Sequence, residues 1–504
     1  MNWKQDLKRN IVMDTFITAV LGDLFSRSVS FVLDNYNRRG QKDAKANLQQ
    51  LRCVLLHIQA TVEEAEGRHI TNQAMLQQLQ MLRQAMYKGF YLLDSFRDRI
   101  LQQESSNVQV GDHPFPLSKF NQAKRRRFAT VRMNVTFQDD GVKEVQKMLG
   151  SLHSIIGDMA EFIIFLKSYP HISREPYSKY LFLENCMFGR QAEMEKIISF
   201  LLQPEPPGAE RLQVLPITGP PRVGKSTLVE HVCYDERVRS HFSTIILCCG
   251  GPTAPEGSSV VKKQTHDSHG RSLIVIELAE DLVLDESQCR NFYSSRSHMS
   301  PGSKFIVTSR SENILKLGST GAIKLDLLPQ EAYWYFFKVM AFGSTNPDDY
   351  PELASLAMEI AARLDGCFVA AHAMCEFFLR ANMHRSFWNK ILECVRNNIE
   401  RNIQLFGEHP RILLEQNQIA YVWCLADFSM RPKVLYVQTH SQLNDVPKIM
   451  LHKLQTSSKA HGKMEVLVWK SRIPPYHSYT MKCEIEAPQD MMAKKKRPHS
   501  HLQV

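Results

Sequence analysis

The chain has 504 residues, 43% of them hydrophobic, with 62 Lys and Arg against 52 Asp and Glu for a formal charge of +10. That length admits three or more domains of ordinary size, and that apolar content excludes a mostly disordered chain. Part of the positive excess sits in two runs, KRRR at 124–127 and KKKR at 494–497, which read as solvated loop or tail charge, so nucleic-acid binding is not expected.

The N-terminal stretch carries Asp6, Lys8, Arg9 and Asp14, which leave no clean apolar leader. Residues 14–33 place Phe16, Val20 and Leu24 at four-residue steps and predict a first helix. A second is expected over 43–66, with Leu48, Leu51, Leu55, Ile58 and Val62 on one stripe and Gly67 as its stop. A third covers 76–101 through Leu79, Leu82, Met86, Leu93, Phe96 and Ile100, and a fourth covers 142–166 through Val145, Leu149, Leu152, Ile156, Met159 and Ile163. Four helices with one apolar face each predict an antiparallel bundle over 13–167. A polar loop is expected between the third and fourth, at roughly 103–140, and a linker at 168–186.

From 187 the pattern changes to short apolar runs alternating with amphipathic stretches. VLPIT (214–218), TIILCC (244–249), SLIVIEL (272–278) and KFIVTS (304–309) are candidate strands. Continuous apolar strands separated by helices predict a parallel sheet covered on both faces, over 187–326. Helix returns over 327–400, and the pattern weakens over 401–504, where 461–479 suggests a small strand pair. No 20- to 29-residue leucine-rich period is present. The fold class expected is therefore multidomain: an N-terminal antiparallel α-helical bundle, a central α/β P-loop domain with a parallel sheet, then helical subdomains.

Eleven cysteines show no C-x-x-C pair and no zinc spacing, and adjacent Cys248 and Cys249 suggest buried thiols in a reducing compartment. No run reaches the roughly 18 uninterrupted apolar residues of a membrane span. A cytoplasmic protein is expected, with the basic runs allowing a nuclear location.

Gly219-Pro-Pro-Arg-Val-Gly224-Lys225-Ser226 satisfies G-x-x-x-x-G-K-[ST], after a strand and before a helix. Glycines let the backbone curl so that N–H groups face phosphate oxygens, and the helix N-terminus adds partial positive charge. Lys225 suits the terminal phosphates and the Ser226 hydroxyl suits Mg²⁺. The strand LIVIEL should end in acids: Glu277 takes the place that contacts the magnesium shell and is expected, with Ser226, to be a metal ligand. Leu278 stands where a second carboxylate would activate water, so binding is expected and hydrolysis is expected to be impaired. Acids at Glu280, Asp281, Asp285 and Glu286 follow off the strand tip as a solvated loop. Arg310, at the end of the next strand, is placed to sense a γ-phosphate.

These motifs, in order, resemble the plant NB-ARC immune receptors with N-terminal coiled-coil domains, of the grass type. MFGR (187–190) is similar to the motif beside the adenine, GPPRVGKSTLVEHV to the phosphate loop, YDERVRSHF (234–242) to the segment after its helix, and LIVIEL to the second kinase motif. GSKFIVTSR (302–310) is similar to the sensor motif and LPQEAYWYFFKVMAFGS (328–344) to the helix after it. LDGCFVAAHAM (364–374) lies where the family writes G-L-P-L-A, and MYKGFYLLDSFRDRI (86–100) resembles the acidic motif of the helical domain, with Asp94 in its central place. The resemblance implies a switch held closed by ADP and opened by ATP with Mg²⁺, signalling in defence through its helical domain. It implies phosphate contacts from Gly219, Arg222, Val223, Gly224, Lys225, Ser226 and Thr227, γ-phosphate sensing by Arg310, and Phe188, Gly189 and Arg190 flanking the adenine. Asp94 would contact the nucleotide-binding or sensor region, and partners would be other NB-ARC receptors or a second copy.

The chain departs from the family at Glu277-Leu278, at Gly366-Cys367-Phe368-Val369-Ala370, where Phe368 replaces the base-packing proline, and in having no M-H-D triplet after 400. A leucine-rich region is also missing. The reading is a nucleotide-binding switch and not an enzyme, with residual slow ATPase activity allowed. The alternatives are a P-loop ATPase of another pathway, a nucleotide-indifferent helper or decoy pairing with a full-length relative, and a product of gene decay.

Overall fold

The computed structural model describes residues 44–108, 123–170, 187–204, 213–221, 223–249, 258–263, 270–278, 300–416, 418–424, 433–437, 448–451, 453, 462–473, 476 and 478–485. The helix expected over 14–33, the acids between 280 and 286, Arg222, both basic-run side-chain sets and all but the first residues of the linker fall outside that description. The chain divides into two units, one of residues 1–177 with 347–355, the other of 178–346 with 356–504.

The first unit is helical: α1 (Ala44–Glu66), α2 (Gln73–Val108) and α3 (Ala123–Leu166). The stripes legible in the sequence form its core. Leu51, Leu55, Ile58 and Val62 of α1, Leu79, Leu82, Met86, Leu93 and Phe96 of α2, and Val145, Leu149, Leu152, Ile156 and Met159 of α3 are all buried. Gly67 donates to Glu63 and ends α1. The loop expected over 103–140 is largely helix, since α2 runs to Val108 and α3 begins at Ala123. Residues 123–140 contain no Gly or Pro to break a helix, and Phe128, Val131 and Val135 fall at helical steps within them. Residues Lys143–Leu166 of α3 are long and apolar enough to cross a membrane, which the requirement for an uninterrupted apolar run had overlooked. Their apolar stripe is used in the helical core. Within this unit Arg52 and Arg97 each reach Asp348 at 2.5 Å.

The second unit begins with α4 (Gln191–Leu202) and a six-stranded sheet. The strands are β1 (Gln213–Thr218), β2 (Thr244–Cys249), β3 (Ser258–Lys263), β4 (Ser272–Glu277), β5 (Lys304–Ser309) and β6 (Ile323–Lys324). Their order is β3-β2-β4-β5-β1-β6, with β3 antiparallel at one edge and the other five parallel. The four apolar runs read from the sequence are β1, β2, β4 and β5. The two edge strands escaped notice because neither is a continuous apolar run of useful length. Alternate residues feed opposite layers. Leu215, Ile217, Leu273, Val275 and Ile306 pack with α4, α5 (Lys225–Cys233) and α6 (Glu236–His241). Val214, Ile276, Phe305 and Val307 pack with Ile314 and Leu317 of the 3₁₀ turn Glu312–Leu317.

Helices α7 (Gln330–Phe342), α8 (Pro351–Leu364), α9 (Phe368–Met374), α10 (Arg385–Phe406) and α11 (Pro410–Glu415) follow. The helix α7 is buried almost all round, and Tyr333 on it donates to the Cys367 carbonyl at 2.9 Å. The region beyond 400, where the sequence pattern weakens, builds a second sheet. Its strands β7 (Ala420–Cys424), β8 (Lys433–Val437), β9 (Lys448–Met450), β10 (Gly462–Lys470) and β11 (Ser478–Ile485) lie in the order β7-β8-β11-β10-β9. The strand pair suggested near 461–479 is the antiparallel hairpin β10–β11. Buried Asn402 of α10 fixes the edge strand β7, donating to the Tyr421 carbonyl at 2.7 Å and accepting its N–H at 2.8 Å. Trp469 of β10 stacks on His372 of α9, ring centroids 4.1 Å apart.

Candidate functional site

The loop between β1 and α5 is shaped by its glycines. A side chain at Gly219 would place its Cβ 2.3 Å from the Leu325 carbonyl oxygen, and Leu325 is held there by its N–H bond to Thr218 at 2.8 Å. Only glycine fits that approach. Gly224, at φ +96°, caps α5 in a conformation other residues resist. Val223 is buried in the layer under α5, and Thr227 is half-buried in its first turn.

Lys225 is 7% exposed, and its Nζ donates to the Gly219 and Pro220 carbonyls at 2.7 and 2.8 Å. The loop thus carries its cation inside its own curl. One residue on, the Ser226 hydroxyl donates to the Glu277 carboxylate at 3.0 Å, joining the loop to the tip of β4. The structure thus brings together the two residues that the sequence separately assigned to a magnesium ion. Arg310 lies half-buried immediately after β5, and since Ser309 pairs with Thr218, that register sets it beside the start of the loop.

Leu278 does not occupy the position expected of it. Its N–H bonds the Thr308 carbonyl at 2.9 Å, and its side chain is buried with Ile276, Phe305 and Val307 in the layer opposite α5. Strand alternation sends residues 277 and 278 to opposite faces, so a carboxylate at 278 would point into an apolar core.

Below the loop, a small cleft is lined by Ser226, Glu230, Cys248, Val275, Glu277 and Thr308. Cys248 is half-buried here, short of the full burial its sequence context suggested. Thr308 is 1% exposed, and its hydroxyl has no hydrogen-bond partner. Sequence reasoning missed Glu230 and Thr308. The signal for Glu230 was its place one helical turn beyond Ser226, whereas Thr308 acquires its place only from its pairing with Glu277 across β4 and β5.

Of the three residues expected beside an adenine, at the start of α4, Phe188 and Arg190 are buried and Gly189 is half-buried. The Phe188 ring packs on Phe336 and Tyr335, centroids 5.2 and 6.5 Å away. Gly189 takes φ +71°. Arg190 is 6% exposed, pairs with Glu193 at 3.7 Å and donates to the Asp326 carbonyl at 2.5 Å. Burial lowers the Arg190 pKa, against the opposing pull of Glu193 and Asp326. Phe368 meets Phe336 and Tyr333 edge-on at 5.0 and 6.1 Å, so Phe188, Phe336 and Phe368 form one aromatic cluster. Asp94 lies half-buried on α2 of the helical unit.

A curled, glycine-gated loop with an internal lysine, opening a helix and joined by a hydroxyl to a strand-tip carboxylate, suits the phosphates of a nucleotide and a hard divalent cation. The residues present fit both groups.

Residues 16–128 match the family of the Rx N-terminal domain. Similar curated proteins are named for disease resistance. RGA2 of Solanum bulbocastanum is 24% identical over 348 residues, covering 65% of this chain and 34% of that protein. RGA1 of the same species is 23% identical over 350 residues, covering 65% and 33%. RPP13-like protein 1 of Arabidopsis thaliana is 25% identical over 398 residues, covering 72% and 36%. The chain spans about a third of the length of these relatives. It carries an Rx N-terminal domain and is homologous to plant disease resistance proteins.

Proposed function

We propose that this homologue of plant disease resistance proteins is an ADP- and ATP-binding switch of the defence response, with weak or absent hydrolysis. The observation that carries the reading is the loop from Gly219 to Ser226, whose Lys225 amine is held by loop carbonyls and whose Ser226 hydroxyl bonds Glu277. A buried ammonium held against backbone carbonyls inside a glycine-shaped loop is suited to an anion. Phosphate oxygens compete for it with two neutral carbonyls, and a charge-assisted bond is the stronger of the two. Arg310, adjoining the loop by strand register, adds a second cation where a third phosphate would project.

When bound, Mg²⁺ would neutralise phosphate charge. Ser226 and Glu277 are the residues that would hold it. Weak hydrolysis is supported by the burial of Leu278 in apolar surroundings, which removes the strand-tip position as a source of base. Signalling would run through the helical unit, with a second copy or another receptor as partner. Fluorescent ADP titrated into the full chain tests the nucleotide assignment: saturable binding that Lys225→Ala removes supports it, and binding indifferent to that substitution refutes it.

A further inference from the structure

Glu230 and Thr308 line the same cleft as Ser226 and Glu277, yet the phosphate loop itself gives neither a role. Thr308 stands out because its hydroxyl is buried without a partner at 1% residue exposure. An unsatisfied buried hydroxyl is costly unless something meets it. The cavity there is about 10 Å³, room for about one water. Thr308 is paired with Glu277 in register, and Glu230 sits one turn along α5 from Ser226. Two carboxylates and two hydroxyls therefore line one water-sized space, completed by Leu247, Cys248 and Val275.

We infer that Glu230 and Thr308 are outer-shell partners of a divalent cation held by Ser226 and Glu277, each acting through cation-bound water. This rests on the cation site of the proposed switch and extends it to two residues. All four donors are hard oxygens, which selects Mg²⁺ or Mn²⁺ over softer metals. Among the described residues no three His, Cys, Asp or Glu side chains converge on a metal position. That excludes a dehydrated cage there and suits Mg²⁺, which keeps several waters and takes one or two carboxylates. Those waters need acceptors, and Glu230 supplies the second carboxylate that Leu278 does not.

The test is Mn²⁺ titration by electron paramagnetic resonance on the full chain with ADP present, alongside ADP affinity measured in EDTA. Glu230→Gln and Thr308→Val are each expected to weaken Mn²⁺ binding about 10–100-fold, as outer-shell losses do. ADP affinity in EDTA should stay at the parent value for both. Mn²⁺ affinity unchanged in both variants would overturn the inference, leaving Glu230 a solvated helix acid. Thr308→Val guards against misfolding as an explanation, because it removes an unsatisfied hydroxyl and should not lower the melting temperature in EDTA. A parent chain that binds no ADP in EDTA counts against the phosphate-loop reading instead. Mn²⁺ titrated alone then decides the cation site: binding weakened by Glu230→Gln sustains it, and no binding overturns it.

Discussion

The Ser226 hydroxyl and the Glu277 carboxylate, 51 residues apart in the chain, meet at 3.0 Å. That contact joins the first turn of α5 to the tip of β4 and defines where a divalent cation would insert. Ser226→Ala is therefore expected to remove the gain in ATP affinity that Mg²⁺ brings, about tenfold for one lost oxygen ligand. ADP affinity in EDTA should not change. Calorimetric titrations with and without Mg²⁺ make the comparison, and a Mg²⁺ effect preserved in the variant would displace the cation from this position.

Leu278 sets a stability prediction where the sequence suggested a catalytic one. Leu278→Ala should cost about 2–5 kcal/mol as a core truncation, and Leu278→Asp should cost more, because it buries a charge in the same apolar layer. No increase in ATP hydrolysis should accompany it. Denaturant melts and a phosphate-release assay check both parts, and faster turnover in a stably folded Leu278→Asp chain would show that the strand tip faces the site.

Asn402 gives the C-terminal sheet its anchor. Asn402→Leu leaves the Tyr421 N–H and carbonyl without their buried partner, at about 1–3 kcal/mol for each group. The amide of Tyr421 should exchange with deuterium markedly faster than in the parent chain. Parent-like protection would mean that β7 is held by its pairing with β8 alone.

His372 links stability to pH. Burial first, then Arg380 and Arg472, push its pKa down to about 3. The folded chain therefore resists a proton that the unfolded chain accepts below about pH 6.5. Stability from this residue is fully present above the unfolded value and is lost as pH falls from there toward the folded one. At about pH 5 the loss is roughly 2 kcal/mol. His372→Phe keeps a ring on Trp469 and should flatten that dependence in thermal melts. An unchanged slope would assign the acid sensitivity to other groups.

Much of this architecture was legible because burial on both faces of a parallel sheet writes continuous apolar runs, as at β1, β2, β4 and β5. The phosphate loop was legible because its chemistry is local in sequence: Gly219, Gly224, Lys225 and Ser226 lie within eight positions. What escaped reading depends on contacts between distant residues. Thr308 gains meaning only opposite Glu277, and Asn402 only against the backbone of Tyr421. Leu278 was misassigned because position along a strand was considered without its alternation. The extra turns of α3 were overlooked because the polar run Lys124–Arg127 masked the helical spacing of Phe128, Val131 and Val135 beyond it.

Lys225 bears most directly on the central claim. Its ammonium is the cation the loop encloses, and a charge-assisted contact with phosphate is worth roughly 1.5–3 kcal/mol, about ten- to a hundred-fold in affinity. The deciding measurement is the nucleotide released when the purified chain is denatured, parent beside Lys225→Ala. ADP or ATP recovered from the parent and lost from the variant is the predicted result. Equal nucleotide content in the two, or none from a parent chain that also binds none when offered it, would contradict the account.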